Sequence, residues 1–214
     1  MKIHKIIFPD RCIFCGKLTE DDEYEICEVC RNKSENLIKA TPDFLMTRFI
    51  DQKITAAWYK DEVRAAVHRF KFNQKPGYAR PFAREIYKQY ILNRCSYDFL
   101  TYVPSNASTV FKRGYNQAKL LAEELGKLTN KEVIRTVKKI RKTKPMFDLK
   151  PEERRANVLA AYEVCCNIET IKNKKILIVD DIFTTGSTVS EIAKTLKLAG
   201  SGDVGCATFA YKKS

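Results

Sequence analysis

The stretch KILIVDDIFTTGSTVSEIAKTL, residues 175–196, constrains the fold more than any other part of the chain. Residues 175–179 form a near-continuous apolar run rich in β-branched side chains. Such a run suits a strand covered on both faces, as in a parallel sheet. Two adjacent carboxylates, Asp180 and Asp181, end it. A polar loop of Thr184, Thr185, Gly186, Ser187 and Thr188 follows, and the spacing predicts a helix over 188–198. This geometry builds a phosphate cradle. Gly186 permits close backbone approach or a positive φ. The backbone N–H groups, the four hydroxyls and the positive end of the helix dipole can all turn toward one phosphate. The two acids would repel that phosphate unless they serve ribose hydroxyls or a divalent cation. The string is neither a P-loop nor a G-x-G-x-x-G turn.

The rest of the chain from residue 54 alternates strand-like and helix-like segments. Strands are expected over 54–59, 98–103, 132–137 and 204–211. Helices are expected over 62–72, 81–92, 114–126 and from Pro151 to about 161. Pro76-Gly77 breaks the first pair of helices. The alternation implies an α/β protein with a parallel sheet flanked by helices.

The first 45 residues lack either periodicity and carry Cys12-x2-Cys15 and Cys27-x2-Cys30. Two such pairs supply the four soft ligands of a tetrahedral metal site. A segment this small needs a staple, and metal binding would provide most of its folding energy. The spacing favours structural zinc; rubredoxin-type iron fits the same ligands, and two disulfides or four incidental thiols also satisfy it. The expected organisation is a four-cysteine module over 1–45 and an α/β domain over 46–214. Cys95, Cys165, Cys166 and Cys206 have no such spacing and are read as buried small hydrophobes.

Charge separates the two parts as well. The chain carries 39 Lys+Arg against 26 Asp+Glu, a net charge of +13. Residues 1–50 hold 8 basic and 9 acidic side chains, so the whole surplus lies beyond them. A surplus of this size favours phosphates, nucleic acid or a membrane surface as partners. Residues 60–94 alone hold 9 basic against 3 acidic side chains, interleaved with Phe70, Phe72, Tyr78 and Phe82. Cations among aromatics suit single-stranded nucleic acid, although core packing of those aromatics is the preferred account. His68 is read as packing or surface. No apolar run approaches the ~20 residues of a membrane span, nor does the N-terminus carry the ~7–15 apolar residues of a signal peptide. A soluble, cytoplasmic protein is therefore expected.

The hydrophobic–Asp–Asp–x–x–Thr–Thr–Gly–x–Thr string resembles the type I phosphoribosyltransferase signature for phosphoribosyl pyrophosphate (PRPP). Together with the four-cysteine module, VPSNASTVFKRGYNQAKLLAEEL and PEERRANVLAAYEV, it makes the chain similar to the ComF competence family, over nearly its whole length. The resemblance implies that Asp180 and Asp181 contact the ribose hydroxyls as catalytic residues, that Thr184, Thr185, Gly186, Ser187 and Thr188 bind the 5′-phosphate, and that Lys112 and Arg113 bind pyrophosphate. It implies Mg2+ with PRPP, zinc on Cys12, Cys15, Cys27 and Cys30, and a mobile loop over 138–150. It also implies a place in natural transformation, with single-stranded DNA, a DNA-uptake helicase and an inner-membrane channel as partners, and a location peripheral to the inner membrane without being an integral membrane protein. Two departures stand out. Thr184 occupies a position where purine-salvage members often carry a carboxylate base, and Met146 replaces a frequent Gln. Three functions remain open: a PRPP-binding protein serving DNA uptake, a Mg2+-dependent phosphoribosyltransferase acting on a nucleobase or amine, and a non-catalytic zinc-ribbon adaptor.

Overall fold

A computed structural model describes residues 11–19, 25–34, 48–141 and 151–212. Its strands are β1 (Gln52–Trp58), β2 (Phe99–Tyr102), β3 (Val137–Lys139), β4 (Tyr162–Val164), β5 (Ile176–Phe183) and β6 (Val204–Tyr211). Its helices are α1 (Glu28–Ser34), α2 (Asp61–Phe72), α3 (Ala79–Leu92), α4 (Ala107–Arg113), α5 (Gln117–Thr129), α6 (Pro151–Val158), α7 (Ile168–Ile171) and α8 (Ser187–Leu198). Four strands make an all-parallel sheet in the order β1-β6-β5-β2. A separate antiparallel pair, β3 with β4, lies beside it.

Alternation along β5 divides the core. Leu177 and Val179 join one buried cluster with Val67 and Phe70 of α2, Phe82 of α3 and Leu121 and Leu125 of α5. Ile176 and Ile178 join the other with Val189, Ile192 and Leu196 of α8. This is the period of 2 in a strand meeting the period of 3.6 in helices on both faces. Phe82 stacks on Phe209 of β6 with ring centroids 3.7 Å apart. Truncating a fully buried residue such as Leu121 would cost about 2–5 kcal/mol.

The order of elements creates an opening. β2 leads toward α5 on one face, and its neighbour β5 leads to α8 on the other. Chains that leave adjacent parallel strands toward opposite faces part at the carboxyl edge of the sheet, and ligands of open α/β sheets sit in that crevice.

The structure departs from the sequence-based expectations at several points. β5 continues through both aspartates to Phe183, so the acids lie within the strand and the loop shrinks to Thr184–Gly186. The helix expected over 114–126 starts later, as α5 at Gln117, and Gly114 instead ends the preceding helix α4, which was not expected. Gly126 lies inside α5, where a Cβ would meet the Lys131 carbonyl oxygen and Val133 Cγ2, each at 2.8 Å. The strand expected over 132–137 reduces to a single bridge between Val133 and Leu100, followed by β3. Lys138 and Lys139, assigned to a loop, belong to β3; residues 142–150, including Met146, lie outside the described residues. Of the four unpaired-spacing cysteines only Cys206 is buried, whereas Cys165 is exposed.

Candidate functional site

The cleft at the carboxyl edge of the sheet has a volume of about 820 Å³. Asp180 through Val189 form its floor, Val103 through Asn106 one wall and the α2 side chains the opposite wall. Gly186 sets the floor in two ways. Its φ of +70° is left-handed, and a Cβ there would lie 2.4 Å from the Phe183 ring. Only glycine meets both conditions. As the residue preceding α8 it brings no side-chain cap, so the opening N–H groups of the helix are left for the cleft. Thr185 Oγ1 and Ser187 Oγ lie 2.8 Å apart, and the Ser187 N–H lies 3.5 Å from Thr185 Oγ1. Thr184 and Thr188 line the same space.

The two aspartates occupy different environments because they sit on opposite sides of a strand. Asp181 is 6% exposed, and its Oδ1 lies 2.9 Å from Lys71 Nζ. Asp180 accepts a hydrogen bond from the Asp181 N–H at 2.9 Å. Burial pushes the Asp180 carboxyl up to about 7 and the Asp181 charge adds to this, while Lys71 and the Asp181 N–H oppose it. Tyr162, from β4, lines the cleft nearby. Its hydroxyl is raised by burial and by the Asp180 charge, with a hydrogen bond from Thr188 opposing.

The structure brings Arg113 to the cleft and leaves Lys112 exposed outside its lining. Arg113 is fixed from two sides. It donates to Gln117 Oε1 at 3.0 Å, and its guanidinium lies 4.8 Å from the centre of the Phe72 ring. Asn116 accepts from the Lys119 N–H at 3.3 Å and donates to the Val103 carbonyl at 3.0 Å, capping α5 and tying it to the cleft wall.

Sequence reasoning missed the α2 face. Arg64, His68, Lys71 and Phe72 all line the cleft. Their spacing of i, i+4, i+7 and i+8 is one helical stripe, adjacent to the core stripe Val63, Ala66, Val67 and Phe70. Phe70 and Phe82 are core residues, but Phe72 is 50% exposed and 4.8 Å from the His68 ring. Lys139 also reaches the cleft, whereas Lys138 is paired with Glu163 at 2.6 Å.

The four cysteines of the N-terminal segment converge. The thiol sulfurs of Cys12, Cys15, Cys27 and Cys30 all lie within 4.8 Å of one another, with Cys15 and Cys27 at 3.7 Å. Four thiolates at the usual zinc–sulfur length of about 2.3 Å place sulfurs about 3.8 Å apart, so the cluster fits a tetrahedral ion. The Cys12 thiol falls to about 7. Burial opposes this, and hydrogen bonds from the backbone of Cys15, Cys27 and Phe14 outweigh it. Ile13 and Phe14 are buried in the same apolar cluster as α2 and α3.

The family described as "Phosphoribosyl transferase domain" matches residues 109–214, which carry the Asp180–Thr188 floor of the cleft. Competence protein F of Haemophilus influenzae is 26% identical over 193 residues, covering 87% of this chain and 80% of that protein. This likeness to a competence protein runs along most of the chain. DNA utilization protein YhgH of Salmonella typhimurium is 25% identical over 217 residues, covering 92% of this chain and 94% of that relative. Among solved structures, adenine phosphoribosyltransferase from Thermoanaerobacter pseudethanolicus is 12% identical, covering 84% of this chain and 98% of its own, with a TM-score of 0.41. Purine phosphoribosyltransferase from Pyrococcus horikoshii is 17% identical over 61% of this chain and 70% of its own, with a TM-score of 0.35. Among the described residues, no helix is long and apolar enough to cross a membrane.

Proposed function

We propose that the cleft binds PRPP and that the chain uses this site in the handling of internalised single-stranded DNA. One observation carries the first half. The left-handed Gly186 turn opens onto the start of α8 immediately after two adjacent carboxylates, at the carboxyl edge of a parallel sheet. The 5′-phosphate would sit against Thr184, Thr185, Gly186, Ser187 and Thr188, and the ribose hydroxyls against Asp180 and Asp181. Arg113, already oriented by Gln117 and Phe72, would meet the pyrophosphate, with Lys112 contributing long-range charge. Asp180 and Asp181 also offer the hard oxygen ligands that Mg2+ takes, and that ion would supply charge neutralisation at the pyrophosphate.

The DNA half rests on charge. Arg80 and Arg84 stand one turn apart on α3, a helix away from the cleft lining, and Lys88 continues the row while paired with Glu85 at 2.7 Å. A row of cations suits a phosphate backbone. In this reading a metal-stapled module over 1–45 precedes a PRPP-binding domain over 46–214, in the cytoplasm.

A second reading, turnover with an acceptor, is favoured by the α2 wall. Phe72 and His68 place a half-exposed aromatic surface beside the ribose end of the cleft, as a planar base or aromatic amine would require. Catalysis would then come from Arg113 and the cation stabilising the departing pyrophosphate rather than from a carboxylate at Thr184.

Thermal unfolding tests the binding reading. PRPP with Mg2+ at 100 times its Kd stabilises the chain by about 2.7 kcal/mol. No shift in Tm at millimolar PRPP contradicts it. Pyrophosphate release with a panel of bases separates turnover from binding alone. Affinity for single-stranded DNA that does not fall as salt rises removes the α3 row from the account.

A further inference from the structure

Arg69 joins the two halves of the molecule. Its Nη2 donates to the carbonyl oxygens of Ile13 and Phe14, both at 2.7 Å. Those two residues lie between Cys12 and Cys15, so the closed knuckle fixes the direction of both carbonyls. The guanidinium is only partly exposed, and a charge-assisted donor in such a place forms stronger bonds than a neutral one. Arg69 stands on α2, whose cleft stripe surrounds it in sequence: His68 precedes it, and Lys71 and Phe72 follow within one turn.

The remaining attachments of α2 make this link consequential. Its core stripe holds the helix to the sheet, and the Tyr115 hydroxyl donates to the Phe70 carbonyl. Asn73 follows the helix without joining it, and the amino-terminal side has no side-chain cap. The clamp from Arg69 thus acts on the same final turns that present Lys71 to Asp181 and Phe72 to Arg113. A rigid helix transmits a shift at Arg69 to its neighbours on the adjacent stripe.

We propose that Arg69 is a positioning residue through which a metal ion in the four-cysteine knuckle sets the α2 wall of the cleft. Metal in the knuckle and ligand in the cleft are then linked, and the linkage is reciprocal: each raises the affinity for the other by the same factor. The knuckle becomes a second control point on the cleft, exerted without a residue of its own reaching the ligand. The effect on ligand affinity rests on the PRPP reading; the effect on α2 does not.

The test uses the full chain loaded with zinc, the same chain after chelation, and Arg69→Met loaded with zinc. Amide hydrogen exchange across residues 61–72 reads the helix directly. Exchange should rise at least tenfold on chelation, and the zinc-loaded Arg69→Met chain should already show that rise. PRPP affinity should fall about tenfold in both, and chelating the variant should add nothing further. In the reverse direction, PRPP should slow loss of zinc to a chelator in the wild type and leave Arg69→Met unchanged. A separately packed knuckle would instead give additive losses. Unaltered exchange in zinc-loaded Arg69→Met overturns the proposal, as does protection of zinc by PRPP in that variant. Where chelation unfolds the chain, the zinc-loaded variant alone decides. Where PRPP fails to bind the wild type, the cleft reading fails and the exchange measurement still judges the clamp.

Discussion

The knuckle draws its four sulfurs from residues 12–30, whereas the cleft draws its walls from residues 59–212. The first is held by a local cluster of sulfurs whose spacing is set by one short turn and the first turn of α1. The second exists only because two neighbouring strands send their chains to opposite faces of the sheet. A local site depends first on its own staple, with the Arg69 clamp and a shared apolar cluster tying it to the rest. A distributed site depends on every element that frames it, so its residues can be damaged from far away in sequence.

The largest effect should come from the staple. Cys12→Ser should abolish retention of zinc, read by elemental analysis at one ion per wild-type chain, and the segment around residues 11–34 should become protease-sensitive. Structural zinc in small modules contributes about 10–16 kcal/mol of apparent binding energy, so partial retention of order is not expected. A variant that keeps both zinc and protection would erase the contrast between the two regions.

In the cleft, Lys71→Met leaves Asp181 buried without its cation. Breaking a buried pair costs about 3–5 kcal/mol, and the lower end applies because the Lys71 side chain is 22% exposed. Urea unfolding measures this, and a loss below about 1 kcal/mol would class the pair with surface ion pairs.

Gly186→Ala should cost about 1–3 kcal/mol from the left-handed backbone and the contact with Phe183, and should remove PRPP binding together with stability. If the variant binds PRPP normally, the floor of the cleft is not the phosphate cradle.

Asp180 gives a signed pH effect. Its carboxyl is raised from 3.8 to about 7 in the folded chain. The folded state therefore holds that proton more tightly. This contribution is complete below pH 3.8 and is lost as pH rises through 7. Asp180→Asn should raise Tm relative to wild type at pH 8, by about 2–4 °C per kcal/mol released, with the gain fading toward pH 4. A gain that grows toward acid would reverse the assignment.

The smallest difference separates neighbours on α4. Arg113→Ala should weaken PRPP at least tenfold, and Lys112→Ala less than twofold, by direct titration. Equal losses would mean that long-range charge, not the fixed guanidinium, matters there.

The same contrast governs what could be read from the chain alone. The cysteine spacing and the strand–acid–loop–helix string are each contained in one short segment, and both segments were legible without structure. The alternation of β5 and the core stripes of α2, α5 and α8 gave the parallel sheet. The cleft stripe of α2 was not legible. Arg64, His68 and Lys71 are polar residues on the solvent side of the helix with one apolar neighbour, Phe72, and only the fold shows that this solvent is the inside of a cleft. Tyr162 was hidden for a related reason, because a three-residue strand such as β4 carries no period to detect. Gly114 and Gly126 misled the helix boundaries. The first ends α4 in a left-handed turn, while the second stays inside α5 where the chain beyond it packs too close for a side chain.

In the proposed site, two strand-borne aspartates and the Gly186 turn act together on one PRPP molecule. Calorimetric titration of PRPP in the presence of Mg2+ into wild type and into the double variant Asp180→Asn with Asp181→Asn tests it most directly. The wild type should bind saturably at one to one, and the variant should lose at least a hundredfold in affinity with its fold retained. Equal binding by both chains, or no heat with either, would contradict it.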